Sequence, residues 1–203
     1  MSEVKYMFNL NDDDKDEKTG KEVSEGLQVK MLKTRTILLS GGIDKEMAEK
    51  LIRQLLLLEA DGDDPIKVFI DSPGGDADAG YAIFDMLRFI KPDVITIGMG
   101  TVASAAALVH LAAKKENRLS LPNAHFLIHQ PLSGIRGVAT EIEIHAKELE
   151  KLREKINHLI ANETGQDVNK VAVDTDRDYW LSAEEALQYG LISRIISSRI
   201  DLG

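Results

Sequence analysis

The sequence predicts an α/β fold with a largely parallel sheet. Short apolar segments alternate with amphipathic segments along most of the chain, and this alternation of strands and helices is typical of such folds. The predicted strands cover 36–40, 66–71, 94–98, 118–121, 125–128 and 191–196. The predicted helices cover 44–60, 77–90, 103–113 and about 140–162, and a further short helix runs between Ser182 and Gly190.

The first two helices are predicted from their caps and their apolar spacing. Asp44 is suited to the N-cap of the first helix because its carboxylate can accept from free backbone N–H groups. Leucines follow at 51, 55, 56 and 58, close to the helical period. The second predicted helix has an apolar side, which is formed by Ala82, Ile83, Met86, Leu87 and Ile90.

The segment over about 140–162 predicts a helix of more than twenty residues. Thr140 with Glu143 matches the capping-box pattern, and Gly165 is a natural stop. Such a length is unusual in a compact domain, so we expect the helix to project and to pack against a partner. Ser182 with Glu185 forms a second capping-box pattern at the start of the short helix.

Composition limits the possible functions. The 203 residues suit one domain with a tail, and acidic residues exceed basic ones by nine, which argues against a nucleic-acid binder. Because cysteine is absent, we expect neither a disulfide nor a thiol nucleophile nor a thiolate metal site. No apolar run approaches the roughly 20 residues of a membrane span, and no signal peptide is evident. These observations predict a cytoplasmic protein.

Residues 1–26 differ in character from the rest of the chain. They contain eight acidic residues against four lysines, and the stretch 11–26 has almost no apolar side chain. Such a segment cannot offset its ordering entropy by burial. We therefore predict a mobile acidic N-terminal segment over 1–26 and a single domain over 27–203.

Ser104 is the first candidate for chemistry, because it stands between a predicted strand and an alanine-rich helix. Free N–H groups and the positive dipole end of a helix favour a developing anion there. A nucleophilic serine needs a base, and His125 and His129 flank one predicted strand. An orienting carboxylate is available within 174–178, at Asp174, Asp176 or Asp178. Spacing alone does not choose among these residues.

A second candidate is the turn at 71–76, which reads DSPGGD. Pro73 fixes one backbone dihedral, and Gly74 and Gly75 can adopt positive φ angles. Backbone N–H groups in such a turn could point at an oxyanion, although an ordinary strand-to-helix turn would have the same composition.

Two other patterns fail at a required position. The segment 98–103 matches a dinucleotide fingerprint, but no acidic strand end follows about 20 residues later. The acidic residues of 174–185 match calcium-loop spacing, but Tyr179 occupies the position that needs glycine. We therefore predict neither a cofactor nor a metal ion.

Five motifs occur in one order along the chain. They are DSPGGD at 71–76, GTVASAAA at 100–107, LPNAHFLIHQPL at 121–132, ATEIEIHAKE at 139–148 and DTDRDYWLSAEEA at 174–186. On these motifs the chain, from about residue 30 to 198, resembles the proteolytic subunits of the Clp protease, a serine peptidase family. The resemblance implies a Clp protease/crotonase-like spiral of βαβ units with a long projecting handle helix.

The resemblance also assigns catalytic roles. It implies Ser104 as nucleophile, His129 as general base and Asp178 as the group that orients the base. It further implies that the backbone N–H groups of Gly74 and Ala105 form the oxyanion hole. The implied activity is endopeptidase cleavage of unfolded polypeptides, without a cofactor or a metal ion.

The same resemblance implies a substrate path and an assembly. Substrate would contact Gly75, Asp76, Ala77 and Leu132. The subunits would form two stacked seven-membered rings, a tetradecamer, in which Asp176 and Arg177 bridge the rings. A hexameric AAA+ unfoldase would dock on the rings and feed unfolded chains into the chamber, with no nucleic acid and no membrane involved.

The chain departs from the family pattern at three places. Asp76 stands where a small residue such as serine is frequent, and Ala105 and Ala106 replace the commoner Met-Gly. The N-terminal segment is longer and more acidic, so it is not expected to form the usual axial gate. Two alternatives remain open: a non-catalytic or assembly-dependent ring subunit, and a crotonase-type acyl-CoA enzyme.

Overall fold

A seven-stranded sheet organises the protein. The computed structural model describes residues 30–202, and residues 35–202 belong to one compact unit. The strands are β1 Thr36–Ser40, β2 Ile66–Ser72, β3 Val94–Ala103, β4 Arg118–Ser120, β5 His125–Ile128, β6 Tyr179–Ser182 and β7 Arg194–Ile195. Within residues 35–202 the helices are α1 Lys45–Ala60, α2 Ala77–Phe89, α3 Ala105–His110, α4 Ala139–Thr164, α5 Val168–Asp174 and α6 Ala183–Tyr189. Short 3₁₀ turns cover Lys115–Asn117 and Arg199–Leu202.

The sheet is parallel except at one edge, which confirms the predicted α/β class. Strands β1, β2, β3, β4 and β7 are neighbours in that order, while β5 pairs with β3 and β6 runs antiparallel to β5. Strand β3 has two partners, because its residues 96–98 pair with β4 and its residues 101–103 pair with β5. Strand β3 therefore changes its neighbour on this side from β4 to β5 midway along its length. The predicted segment 1–26 lies outside the described residues, and its boundary with 27–203 stays a prediction.

The two faces of the sheet are buried to different degrees. In β2 every second residue is fully buried, and these residues face the helices. The main core comprises this face and the apolar sides of α1 and α2, including Val68, Ile70, Leu51, Leu55, Ile83 and Leu87. On the opposite face a smaller cluster of Ile97, Leu119 and Ile196 packs against Phe69 and Leu202. This alternation agrees with the period-two pattern of a strand.

Strand β3 is longer than predicted, and α3 is correspondingly shorter. The sequence placed a turn after residue 98 and a helix over 103–113, whereas β3 continues to Ala103 and α3 spans only Ala105–His110. The extension depends on pairing with β5, which lies more than twenty residues further along the chain. Gly98 permits this close approach, since a Cβ atom there would meet the Phe126 ring at 2.8 Å.

The N-cap of helix α4 lies two residues before the predicted one. Its N-cap is Val138, whose N–H donates to the Glu141 carboxylate at 3.3 Å, so the predicted Thr140–Glu143 capping box is wrong. Glu143 instead pairs with Lys147 one turn later, at 2.7 Å. Gly165 ends the helix in the left-handed conformation, as predicted. Along α4, the buried residues begin only at Ile156.

The C-terminal part contains two elements that the pattern did not predict. Helix α5 begins after Asp167, whose carboxylate accepts from the N–H groups of the first turn, and β6 follows it. The predicted strand over 191–196 is reduced to the two residues of β7. The Ser182–Glu185 capping box is confirmed by reciprocal hydrogen bonds of 3.2 and 2.7 Å. Within residues 30–202, no helix has the length and apolar character needed to cross a membrane.

Candidate active site

Ser104 occupies a strained position between β3 and α3. Its φ and ψ angles are 56° and −124°, and a positive φ is uncommon for a residue with a side chain. Such a conformation costs on the order of 1–3 kcal/mol and persists only where the surroundings enforce it. Here the Ser104 N–H donates to Leu127 O at 2.9 Å, and Ser104 O accepts from Ala107 N at 3.0 Å. Ser104 therefore precedes the first turn of α3, and its Oγ atom projects from a sharp corner.

His129 follows the carboxyl end of β5 and contacts Ser104. Its Nε2 atom lies 2.8 Å from Ser104 Oγ, and its side chain is 14% exposed. His125, the other histidine on β5, is exposed at the opposite end of the strand and pairs with Ser182 of β6. The structure therefore brings His129, and not His125, to Ser104.

Asp178 lies on the far side of the imidazole. Its Oδ1 atom is 3.1 Å from His129 Nδ1, and its side chain is 65% exposed. The other two aspartates of this segment have different partners, since Asp174 bonds to Lys170 and Asp176 bonds to Arg153. A hydroxyl, an imidazole and a carboxylate joined in this order can activate the hydroxyl as a nucleophile.

Gln130 connects the histidine segment to the aspartate segment, and sequence reasoning missed it. Its backbone N–H donates to Thr175 O, and its side-chain Nε2 donates to Asp176 O, both at 2.6 Å. Thr175 is fully buried and bonds to Asn157 of α4 at 2.8 Å. These bonds hold the loop before Asp178 against the residue after His129. The only sequence signal was the position of Gln130 next to a candidate base.

The glycine turn lies directly beside Ser104. A Cβ atom at Gly74 would meet Ser104 Cβ at 2.7 Å and Ala105 N at 2.9 Å, so only glycine fits there. The Gly74 N–H, however, donates to Ser72 Oγ at 3.1 Å. Gly74 O accepts from Ile43 N, and Ile43 O accepts from Asp76 N, both at 2.8 Å. Because backbone groups alternate along a strand, the N–H and C=O of Gly75 point away from Ile43, into the cleft.

A cleft of about 810 Å³ opens over these residues. Its polar end holds Ser104, His129 and Gly75, and its apolar wall comes from α3 and α4, with Leu108, Leu149, Leu152, Ile156 and Ile160. Ser133 and His145 also line it, and Ser133 Oγ lies 2.7 Å from His145 Nε2. An apolar cleft with a few convergent polar groups is the usual form of a substrate site.

The remaining residues predicted for the site are distributed around this cleft. Asp76 caps α2, accepting from Ala79 N at 2.7 Å, and it lines the cleft together with Ala77 and Leu132. Leu132 is 82% exposed. Asp176 and Arg177 lie outside the cleft on an exposed turn, where their predicted ring-to-ring role stays a prediction. Ala105 is buried at the start of α3 and is among the residues that line the cleft.

Two further histidines, and Asp174 and Glu185 of the acidic segment, take no part in this arrangement. His110 is buried in the core against Phe126, and His158 is exposed on α4. Burial, assisted by the charge of Arg118, lowers the pKa of His110 to about 3. Glu185 belongs to a helix cap and Asp174 accepts from Tyr189, so the calcium-loop pattern does not converge. In the described part of the chain, no group of three metal-ligating side chains comes together.

A hydroxyl, an imidazole and a carboxylate in contact beside an apolar cleft are typical of a hydrolase. More particularly, the chain belongs to the Clp protease family, whose sequence profile matches residues 19–199. Its function is that of a Clp-type proteolytic subunit, and the resemblance seen in the sequence motifs is thereby confirmed.

Characterised relatives match nearly the whole chain. The ATP-dependent Clp protease proteolytic subunit 2 of Treponema denticola is 61% identical over 194 residues, which cover 95% of this chain and 97% of that protein. The corresponding subunit 2 of Pseudomonas aeruginosa is 46% identical, with 95% and 98% covered. A solved structure of a ClpP1 point mutant from Listeria monocytogenes has a TM-score of 0.82 and 50% identity, covering 87% of this chain and 99% of that one.

Proposed function

We propose that the protein is a serine endopeptidase with Ser104 as nucleophile, His129 as general base and Asp178 as the orienting carboxylate. The observation that carries this proposal is the continuous hydrogen-bonded row from Ser104 Oγ through the imidazole to Asp178 Oδ1. Ser104 and His129 line the polar end of one cleft, and Asp178 lies behind the imidazole. The reaction is acyl transfer from a peptide to the serine, followed by hydrolysis of the ester.

The hydrogen-bonded row assigns the positions of the protons. An ionised carboxylate can only accept, so the proton of the neutral imidazole lies on Nδ1 and points at Asp178. His129 Nε2 then accepts from the Ser104 hydroxyl at 2.8 Å. As Ser104 Oγ attacks the peptide carbonyl, Nε2 takes its proton and later delivers it to the leaving amine. Water then attacks the ester while Nε2 takes a proton from it, and Nε2 returns this proton to Ser104 Oγ as the acyl group leaves as a carboxylic acid.

The oxyanion of the tetrahedral intermediate needs two backbone donors. We assign these to Ala105, directly after the nucleophile, and to Gly75. This replaces the sequence-based assignment of Gly74, because the Gly74 N–H is already bonded to Ser72 Oγ while the Gly75 N–H points into the cleft. Donors fixed before the reaction stabilise the developing charge without reorganisation.

Substrate binds as an added strand in this proposal. With the Gly75 N–H assigned to the oxyanion, the Gly75 C=O, which the parallel bridge to Ile43 also leaves free of Ile43, can accept from the backbone N–H of an extended peptide. Backbone pairing is insensitive to side chains, and specificity is therefore loose. The apolar wall formed by Leu108, Leu152 and Ile156 favours an apolar side chain beside the scissile bond.

Assembly and partners follow the family. We propose self-association into two stacked seven-membered rings in the cytoplasm, served by a hexameric AAA+ unfoldase that supplies unfolded polypeptides. The name "ATP-dependent" in the characterised relatives supports the partnership with an ATPase. The exposed isoleucines at 142 and 144 of α4 support its use as a contact between subunits.

Active-site labelling tests the proposed catalytic role. A fluorophosphonate probe should label the wild-type protein and should not label Ser104→Ala, and peptide hydrolysis by that variant should fall by about 10⁶. Ser133→Ala is the matched control, because it removes a second hydroxyl in the same cleft that bonds to another histidine. Labelling of Ser104→Ala at the wild-type rate, with native mass showing intact assembly, would refute the assignment.

A further inference from the structure

Asp71, at the carboxyl end of β2, fixes the shape of the strand that leads to Ser104. We propose that its carboxylate is a positioning group, which holds the backbone of β3 at Gly100 and Thr101 and thereby sets the location of the Ser104 side chain. This role rests on the proposed function of Ser104 as nucleophile. Asp71 does not line the cleft and is not itself a catalytic residue.

The need for such a group comes from an irregularity in the pairing of β2 with β3. Ile70 pairs with Gly98, but Ser72 pairs with Val102. Between these pairs β2 advances by two residues while β3 advances by four, so β3 contains two extra residues. Extra residues in a strand lose their ladder hydrogen bonds and bend the chain. Their N–H groups need another acceptor.

The Asp71 carboxylate supplies that acceptor. The Thr101 N–H donates to Asp71 Oδ1 at 3.0 Å. Gly100, next to it, has a φ of +53°, and a Cβ atom there would lie on the carboxylate, 2.8 Å from Asp71 Cγ. A glycine is therefore required at position 100 both by its backbone conformation and by the side chain above it. The carboxylate therefore lies against the bend and constrains the backbone at Gly100 and Thr101.

This bend lies at the point where β3 changes its pairing partner from β4 to β5. Upstream of it β3 pairs with β4, and downstream, over 101–103, it pairs with β5, the strand that ends at His129. Ser104 follows three residues after Thr101. The backbone of Asp71 is itself fixed, because its C=O accepts from Gly41 N at 3.1 Å, and its own strand continues into the turn with Gly75. One carboxylate thus links the segments that carry the nucleophile and the oxyanion donor.

Asp71→Ala and Asp71→Asn separate positioning from charge. Removal of the acceptor in Asp71→Ala should lower kcat for a peptide and the rate of fluorophosphonate labelling by about tenfold or more, with KM within about twofold, since small misplacements of a nucleophile are costly. Asp71→Asn keeps an Oδ1 acceptor and should remain within about threefold of wild type. Asp93→Ala, which removes an exposed acid just before the opposite end of β3, is the control and should label normally.

Hydrogen exchange gives a readout that does not depend on catalysis. The Thr101 amide should be protected in the wild-type assembly and should exchange faster in Asp71→Ala, and unchanged exchange there would overturn the proposal. Labelling of Asp71→Ala at the wild-type rate, or labelling of Asp71→Asn as slow as that of Asp71→Ala, would overturn it as well. If Asp71→Ala does not assemble, Asp71→Glu replaces it, because the longer side chain keeps the charge but cannot fit over Gly100. Normal labelling of Asp71→Glu would refute the positioning role. Failure of the wild type to label would instead contradict the role of Ser104.

Discussion

The Nε2 atom of His129 lies 2.8 Å from Ser104 Oγ, although the two residues follow different strands. Those strands are direct neighbours, because Ala103 of β3 pairs with Leu127 of β5. The Ser104 N–H continues this ladder by donating to Leu127 O at 2.9 Å. The separation of the proposed nucleophile and the proposed base is therefore set by the hydrogen-bond ladder of a buried sheet, which holds the two side chains more rigidly than loops would.

Asp178→Asn should slow catalysis without disturbing the fold. The amide can donate to His129 Nδ1 and so favour the tautomer whose Nε2 carries the proton and cannot accept from Ser104. We expect kcat to fall by about 10²- to 10⁴-fold with little change in KM. Steady-state peptide hydrolysis measures the change in kcat, and Glu184→Gln, which alters an exposed side chain of α6, is the control. A variant within tenfold of wild type would show that the carboxylate is not needed to orient the base.

Gly75→Ala should abolish the proposed oxyanion donor by moving the backbone. A Cβ atom at this position would lie within 2.9 Å of Ile43 N and closer still to Ile43 O, so the turn must shift away from Ile43. We expect a loss of peptidase activity of about 10²-fold or more, the cost of removing one such donor. Gly134→Ala is the matched control, because no atom lies within 4 Å of its added Cβ. Equal activity in both variants would contradict the assignment of Gly75.

The stability of the protein should fall on mild acidification because of His110. Both ring nitrogens are buried with no hydrogen-bond partner among the described residues, and burial lowers the pKa to about 3. The unfolded chain has the ordinary pKa of about 6.5 and so binds more protons between these two values. Stability therefore decreases as the pH falls below about 6.5, by up to about 1.4 kcal/mol per pH unit.

Thermal unfolding of the wild type and of His110→Leu between pH 7 and pH 5 tests this dependence. Leucine cannot titrate, so the midpoint of the variant should drop less over this range than that of the wild type. His158→Gln, which removes an exposed histidine from α4, should behave as the wild type does. A parallel decline in His110→Leu and wild type would contradict the prediction.

Glu163→Gln should destabilise the protein at the C-terminal end of α4. The Glu163 carboxylate bonds to Arg118, whose side chain is 2% exposed, and to Arg88 at 2.6 Å. Loss of the negative charge leaves the buried guanidinium without its counter-ion, which costs about 3 kcal/mol. Glu49→Gln, which breaks the exposed pair with Arg53 on α1, should cost less than about 0.5 kcal/mol. Calorimetric midpoints at one protein concentration compare the two, and equal shifts would refute the distinction.

Features that depend on a few adjacent residues could be predicted from the sequence. The Ser182–Glu185 capping box and the stop at Gly165 each involve a single helical turn, and both are confirmed. The strand over 66–71 is confirmed with one added residue, because its alternation reflects burial of one face. Local chemistry left His125 and His129 as candidates and the motif resemblance implied His129, and the direction of β5 brings His129 to Ser104.

Features that depend on distant pairing could not be predicted in the same way. Strand β6 exists because β5 offers it an antiparallel edge, and the end of β3 is a strand because β5 pairs with it. The commitment of the Gly74 N–H to Ser72 Oγ required the turn geometry, which two adjacent glycines leave undetermined. The cap of α4 at Val138 depends on the reach of the Glu141 side chain rather than on a capping residue type.

The burial pattern of α4 has a consequence for how this protein can change over evolutionary time. Its buried residues begin at Ile156, and the helix before that point contributes none to the core of its own chain. Apart from the residues that line the cleft (His145, Glu148, Leu149, Lys151 and Leu152), substitutions over 139–155 are therefore limited by helix propensity and by the surface they meet, not by internal packing. Mating surfaces on this arm can diverge between gene copies while the cleft chemistry stays constant, so new subunit pairings can arise without rebuilding the enzyme.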